Sequence, residues 1–140
     1  MLLLPLSAWA DFTTLSVEQV QAKIEQGVAI IDVRRQDEYD QYGVIPNSHK
    51  MPFFDKNGQY NLQAWLSDLA KAVPNQDTPF VLVCAYANRT KTIGRFLHAK
   101  TGYKNIFELA GGINGGWLKQ GLATTKIAAG AQQKPWYRFW

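Results

Sequence analysis

Two runs of this chain fix its fold class. VAIIDV (28–33) and FVLVC (80–84) are almost wholly apolar and mostly β-branched from end to end. A strand with one face in water alternates apolar and polar residues. A run with no polar face is buried on both sides, as in a parallel sheet covered by helices. Parallel strands need long crossovers, and the segments around these runs carry helical spacing.

Ser16 with Gln19 forms a capping box, Val17, Val20 and Ile24 recur at intervals of three and four, and Gly27 is a stop signal. Arg35 to Tyr42 predicts a short helix closed by Gly43. After turns at Ile45–Ser48 and Asp55–Gly58, Asn61 caps a helix that sets Leu62, Trp65, Leu66, Leu69 and Val73 on one face, and Pro74 ends it. Thr90 to Lys100 predicts another helix, with Ile93, Phe96 and Leu97 inward and Gly102 as its stop. His49–Met51 and Asn105–Leu109 read as further strands. The run from Gly111 to Trp117 leads into a last short helix near Gly121. The alternation predicts an α/β domain with a central, mainly parallel sheet flanked by helices. Its 140 residues fit one domain.

Composition removes several function classes. The net charge of +4 is spread along the chain, and Lys91, Arg95, Lys100 and Lys104 read as a solvated helix face. No basic stripe or reader motif points to nucleic acid. A single cysteine excludes an internal disulfide and any CxxC site, and His49 and His98 lie far apart, so neither a metal nor another cofactor is expected.

The first ten residues, MLLLPLSAWA, lack charged side chains and end in a small-x-small cleavage pattern before Asp11. Residues 1–10 are therefore expected to be a signal peptide, whose short apolar core points to truncation or a misassigned start, with a periplasmic or secreted product; an ordinary apolar N-terminus on a cytoplasmic protein is the alternative. The run is too short for a transmembrane span. The domain is expected over 11–125, followed by a linker and tail over 126–140. The basic-aromatic stretch 134–140 suits either a partner or membrane surface, or this domain's own surface.

The lone Cys84 stands at the carboxyl end of an apolar strand, where open α/β sheets bind ligands. Ala85, Tyr86, Ala87, Asn88, Arg89 and Thr90 follow, leading into a helix. Backbone N–H groups of such a loop converge on one point, the helix N-terminus adds partial positive charge, and Arg89 adds a full one. This setting favours the thiolate and would cradle an incoming anion. A mild positive balance suits a small anionic substrate. The plain alternative is a buried cysteine acting as a small apolar side chain. Tyr86 could serve as a rim residue or simply face solvent, and His98 lies two turns beyond the loop.

Other elements frame this loop in order. Ile31-Asp32-Val33-Arg34 comes first, then Asp37-Glu38-Tyr39 and Gly43-Val44-Ile45-Pro46-Asn47-Ser48. The Cys84–Thr90 loop, Gly102-Tyr103, Leu109-Ala110-Gly111-Gly112-Ile113 and Trp117 complete the set. Together, over roughly residues 12 to 122, they resemble the D-V-R, E-Y, G-H-I-P-G-A, active-site loop and G-Y…L-x-G-G…W elements of the rhodanese-like sulfurtransferases.

The resemblance implies a three-layer rhodanese-like domain. It implies that Cys84 is the sulfur-accepting nucleophile, passing through a persulfide. It further implies that Ala85 to Thr90 supply N–H donors, that Arg89 orients the anion, and that Asp32 and Arg34 hold the fold near the site rather than forming an ordinary surface pair. The partners implied are a thiosulfate-like donor and a cyanide or thiol acceptor.

Three departures stand out: Ala87 where the loop often has glycine, Val44 and Asn47 in place of histidine and glycine, and one extra residue between Ile113 and Trp117. Phosphatases of the same fold resemble a C-x5-R pattern; here Cys84 to Arg89 is C-x4-R, and the shorter loop suits a terminal sulfur over a phosphate. A persulfide carrier or partner-binding module without turnover is the other alternative.

Overall fold

A computed structural model describes residues 12–130. The expected leader over 1–10 and the 134–140 tail lie outside the described residues. Five strands form one parallel sheet: β1 (Thr13–Leu15), β2 (Ala29–Asp32), β3 (His49–Lys50), β4 (Phe80–Val83) and β5 (Ile106–Leu109), in spatial order β1-β5-β4-β2-β3. Helices α1 (Val17–Glu25), α2 (Gln36–Tyr42), α3 (Leu62–Ala72) and α4 (Asn88–Lys100) connect them, and a π-helical turn spans Ile113–Trp117.

β4 lies at the centre, with all four residues at 0% exposure. Its side chains divide by the two-residue period of a strand. Phe80 and Leu82 join Ile31, Leu69, Ile93 and Leu97 on one side. Val81 and Val83 join Val20, Ile30, Ile45 and Trp117 on the other. That double burial accounts for the unbroken apolar run.

β1 was not foreseen. Thr13 and Thr14 are exposed, only Leu15 is buried, and three residues carry no periodic signal. Its strand character comes from pairing with β5, where Thr14 faces Glu108. The basic face expected after the cysteine loop also needs correction, because Lys91 turns inward to pair with Glu108 at 3.0 Å.

α4 starts at Asn88, two residues earlier than Thr90, so Asn88 and Arg89 belong to its first turn. Ala87 caps it in the left-handed region, with φ 64° and ψ 16°. Asn47 has φ 65°. Both positions are those where glycine was the resembled residue, and the geometry explains why: left-handed backbone suits glycine, then asparagine, and strains alanine. The extra residue before Trp117 is absorbed by the π turn, in which the Leu118 N–H donates to the Ile113 carbonyl at 2.8 Å.

The chain stays packed past residue 125. The Thr125 N–H donates to the Val44 carbonyl at 2.9 Å, Ile127 lies against the second apolar cluster, and the Gly130 N–H donates to the Gly121 carbonyl at 2.8 Å.

Candidate active site

β4 delivers Cys84 to the carboxyl edge of the sheet, where the residue is 1% exposed. The next residues are held from the opposite side by the π turn. The Ile113 N–H donates to the Cys84 carbonyl at 2.8 Å, and the Asn114 N–H to the Ala85 carbonyl at 2.9 Å. This close approach requires Gly112: a Cβ there would lie 2.5 Å from the Ala85 carbonyl and 2.6 Å from that of Cys84. The G-G-I-N-G-G-W stretch is thus the floor beneath the cysteine loop.

The entrance to α4 differs from those of α1 and α3. Ser16 accepts from the Gln19 N–H, and Asn61 from the Ala64 N–H. Ala87 has no such side-chain acceptor. The orphan N–H groups of the first turn, which begins at Asn88, therefore receive nothing from their cap and can serve an anion instead. Tyr86 stands 62% exposed at the rim.

Arg89 does not stand alone. Its two terminal nitrogens donate to Glu38 Oε1 and Oε2 at 2.6 and 2.7 Å. Glu38 is fixed in turn by the Arg35 N–H at the start of α2, 3.2 Å away. Partial burial works to raise the Glu38 carboxyl, but the hydrogen bonds and charge of Arg89 outweigh it and hold the group below its ordinary value of 4.5. Glu38 pushes Arg89 upward in return. The positive charge expected beside Cys84 is thus largely matched by a carboxylate.

Asp32 and Arg34 are fully buried, which excludes an ordinary surface pair. Arg34 Nη2 donates to Asp32 Oδ2 and to the Gly43 carbonyl, both at 2.7 Å. The Tyr39 hydroxyl donates to the Asp32 carbonyl at 2.7 Å. Burial drives the Asp32 carboxyl upward despite Arg34 beside it. The group ties β2 to the end of α2, one strand away from β4.

Behind Cys84 lies a residue that the sequence reading passed over. Glu108, on β5, is buried and accepts from Thr14 Oγ1, Thr90 Oγ1 and Lys91 Nζ, each at 3.0 Å. Thr90 Oγ1 is also 3.6 Å from Cys84 Sγ. A usable signal existed: a lone carboxylate inside the strand IFEL must find partners if that strand is buried.

His98 lies with Arg95 on the wall of a cleft beside Glu108, away from the loop. Among the described residues no group of His, Cys, Asp and Glu is arranged to hold a metal, and no helix is long and apolar enough to cross a membrane.

A parallel α/β sheet carries one cysteine at its carboxyl edge, beside a helix start that has no side-chain cap. The Rhodanese-like domain model matches residues 16–119, and the chain belongs to that family. It is 30% identical over 97 residues to a rhodanese domain-containing protein of Drosophila melanogaster, covering 68% of this chain and 86% of that one. It is 26% identical over 104 residues to the thiosulfate sulfurtransferase GlpE of Pseudomonas fluorescens, covering 74% and 84%. Among solved structures, the polysulfide-sulfur transferase homodimer of Wolinella succinogenes superposes with a TM-score of 0.61 at 28% identity, over 83% of this chain and 80% of that one. At the level of the family, this is a sulfurtransferase-type domain.

Proposed function

We propose that this protein is an enzyme that moves a sulfane sulfur from a thiosulfate-like donor, through a persulfide on Cys84, to a thiophilic acceptor such as cyanide or a thiol. The observation that carries the reading is the start of α4. Cys84 leaves β4 directly beneath a helix whose cap offers no side-chain acceptor. An anion arriving at the sulfur meets N–H groups that need a partner.

In the first step the Cys84 sulfur attacks the terminal sulfur of the donor. An S–S bond forms, and the donor's remaining group, sulfite in the case of thiosulfate, leaves with the bonding electrons. In the second step the acceptor takes the outer sulfur and Cys84 leaves with its electron pair. Ala85 to Thr90 supply the cradle. Arg89, held by Glu38, orients the donor, and Tyr86 lines the rim. Asp32 and Arg34 keep the wall in place. The C-x4-R loop is one residue shorter than the phosphatase pattern, which favours sulfur over phosphate.

An intact-mass spectrum after thiosulfate treatment tests the reading. Wild type should gain the mass of one sulfur, and cyanide should remove it with release of thiocyanate. Cys84→Ser should fold and gain nothing. Sulfur transfer by that variant at the wild-type rate would sink the mechanism.

One observation favours a carrier without rapid turnover: Cys84 is only 1% exposed, which would shield a persulfide until a partner docks. Ready persulfide formation with slow discharge to cyanide would select that reading. We further propose that the protein is exported; fractionation of expressing cells would find it in the cytoplasm if the leader is inactive.

A further inference from the structure

Thr90 has one hydroxyl proton and two neighbours that compete for it. Glu108 Oε1 lies 3.0 Å away, and an ionised carboxylate can only accept. The Thr90 proton therefore points at Glu108, and Thr90 offers Cys84 a lone pair across 3.6 Å. The resulting chain runs Cys84 S–H, Thr90 O–H, Glu108 carboxylate. Two proton shifts along it invert every link. The S–H bond breaks as Thr90 Oγ1 gains that proton, and the Thr90 O–H bond breaks as Glu108 Oε1 gains the other. The sulfur is left as a thiolate that now accepts from Thr90, and Glu108 is neutral.

The far end of this chain reaches the surface on a different side. Among the described residues, a cleft of about 310 Å³ is lined by Phe12, Thr14, Lys91, Arg95, His98 and Glu108. The charged and titratable groups beside Glu108 in this cleft are Lys91, Arg95 and His98, all from α4. β1 contributes the neutral Thr14 hydroxyl, and β4 leads to Cys84 itself. Lys91 Nζ sits 3.0 Å from both carboxylate oxygens and is 42% exposed, so it links Glu108 to solvent.

We propose that Thr90 and Glu108 form a proton relay serving Cys84 from behind, with Glu108 as a positioning residue that acts through Thr90 and exchanges protons through the α4–β1 cleft. During sulfur transfer the relay takes the thiol proton as Cys84 attacks. It returns that proton to the cysteine sulfur when the acceptor removes the outer sulfur, so no outside base is consumed. The catalytic use of the relay rests on the transfer reading above, but the relay itself can be tested without a sulfur donor.

The measurement is the rate of Cys84 alkylation by iodoacetamide from pH 5 to 9. A simple thiol loses about tenfold in rate per pH unit below its titration midpoint, because only thiolate reacts. The relay adds a route in which the proton leaves through Thr90 to the ionised Glu108 as the sulfur attacks; the rate of that route does not change with pH, so the wild-type rate should level off on the acid side. Glu108→Gln keeps shape and hydrogen bonds to Thr90 but takes no proton. It should restore the steep fall and react about tenfold or more slowly at the acid end. Thr90→Ser should behave as wild type and Thr90→Val as Glu108→Gln.

If Glu108→Gln fails to fold, the two Thr90 variants decide alone. Identical profiles for wild type and Glu108→Gln, or for the serine and valine variants, overturn the relay. A levelled wild-type profile in a protein that takes no sulfur from thiosulfate keeps the relay and removes the transfer reading.

Discussion

Arg89 and Thr90 are consecutive residues of one helical turn, and each meets a glutamate from another element. In front, Glu38 of α2 grips the Arg89 guanidinium, with 25% of the arginine side chain and 14% of the glutamate exposed. Behind, Glu108 of β5 accepts from Thr90, Thr14 and Lys91 with 1% of its side chain exposed. The front carboxylate balances the charge of Arg89 and fixes the direction of its guanidinium. The rear one orders a hydroxyl next to the sulfur. Similar groups thus do different work because burial and partner type differ: Glu38 meets a guanidinium near water and sets charge, whereas the buried Glu108 holds a hydroxyl as well as the Lys91 ammonium and sets proton positions.

The largest effect should come from a third carboxylate, which sets the scale for the other two. Asp32→Ala leaves Arg34 as an uncompensated buried charge. It should cost about 3–5 kcal/mol in urea denaturation. A loss below about 1 kcal/mol would mean that the pair behaves like one at the surface.

A smaller effect should follow from breaking the front pair. The Glu38 carboxyl is held below its ordinary 4.5 in the folded protein, so its contribution is fully present above that value and disappears as pH falls through the depressed one. Glu38→Gln should therefore cost about 1 kcal/mol near neutrality, and the gap from wild type should close on acidification. Asp32 runs the other way: its raised carboxyl is least costly when neutral, so it cannot produce this acid loss. Melting curves of both proteins across the acid range check the sign, and a gap that stays constant would remove Glu38 as the titrating group.

The smallest effect concerns the cap between the two glutamates' partners and the sulfur. Left-handed backbone at Ala87 costs an L-residue about 1–2 kcal/mol, part of which glycine gives back through its freer unfolded chain. Ala87→Gly should therefore stabilise by about 0.5 kcal/mol. A destabilised variant would show that the buried Ala87 methyl contributes more by packing than its backbone loses by strain.

Much of this architecture was legible because it depends on local pattern. β2 and β4 declared themselves by unbroken β-branched runs, α1 and α3 by capping residues and an apolar stripe, and Cys84 by its place after β4. β1 did not, since two of its three residues are exposed and pairing with β5 supplies its order. The placement of Cys84 at the sheet edge, with Arg89 in the helix that follows, and the closeness of Asp32 to Arg34 were also legible in the chain. The electrostatics of the site were not. Lys91 looked like one more solvated lysine, and the sequence distance from Glu38 to Arg89, or from Glu108 to Thr90, carries no periodic signal.

The sequence by itself determined an α/β parallel sheet, the position of a single thiol at its carboxyl edge, and a loop of four residues between that thiol and an arginine. Those follow from side-chain period and chain order, which act over a few residues. Only the tertiary structure decided which carboxylates meet the loop. That choice depends on the strand order β1-β5-β4-β2-β3, which sets β5 and β2 on either side of β4 and brings Glu108 behind the sulfur. It also carries the chain from β2 into α2, and so Glu38 to the front.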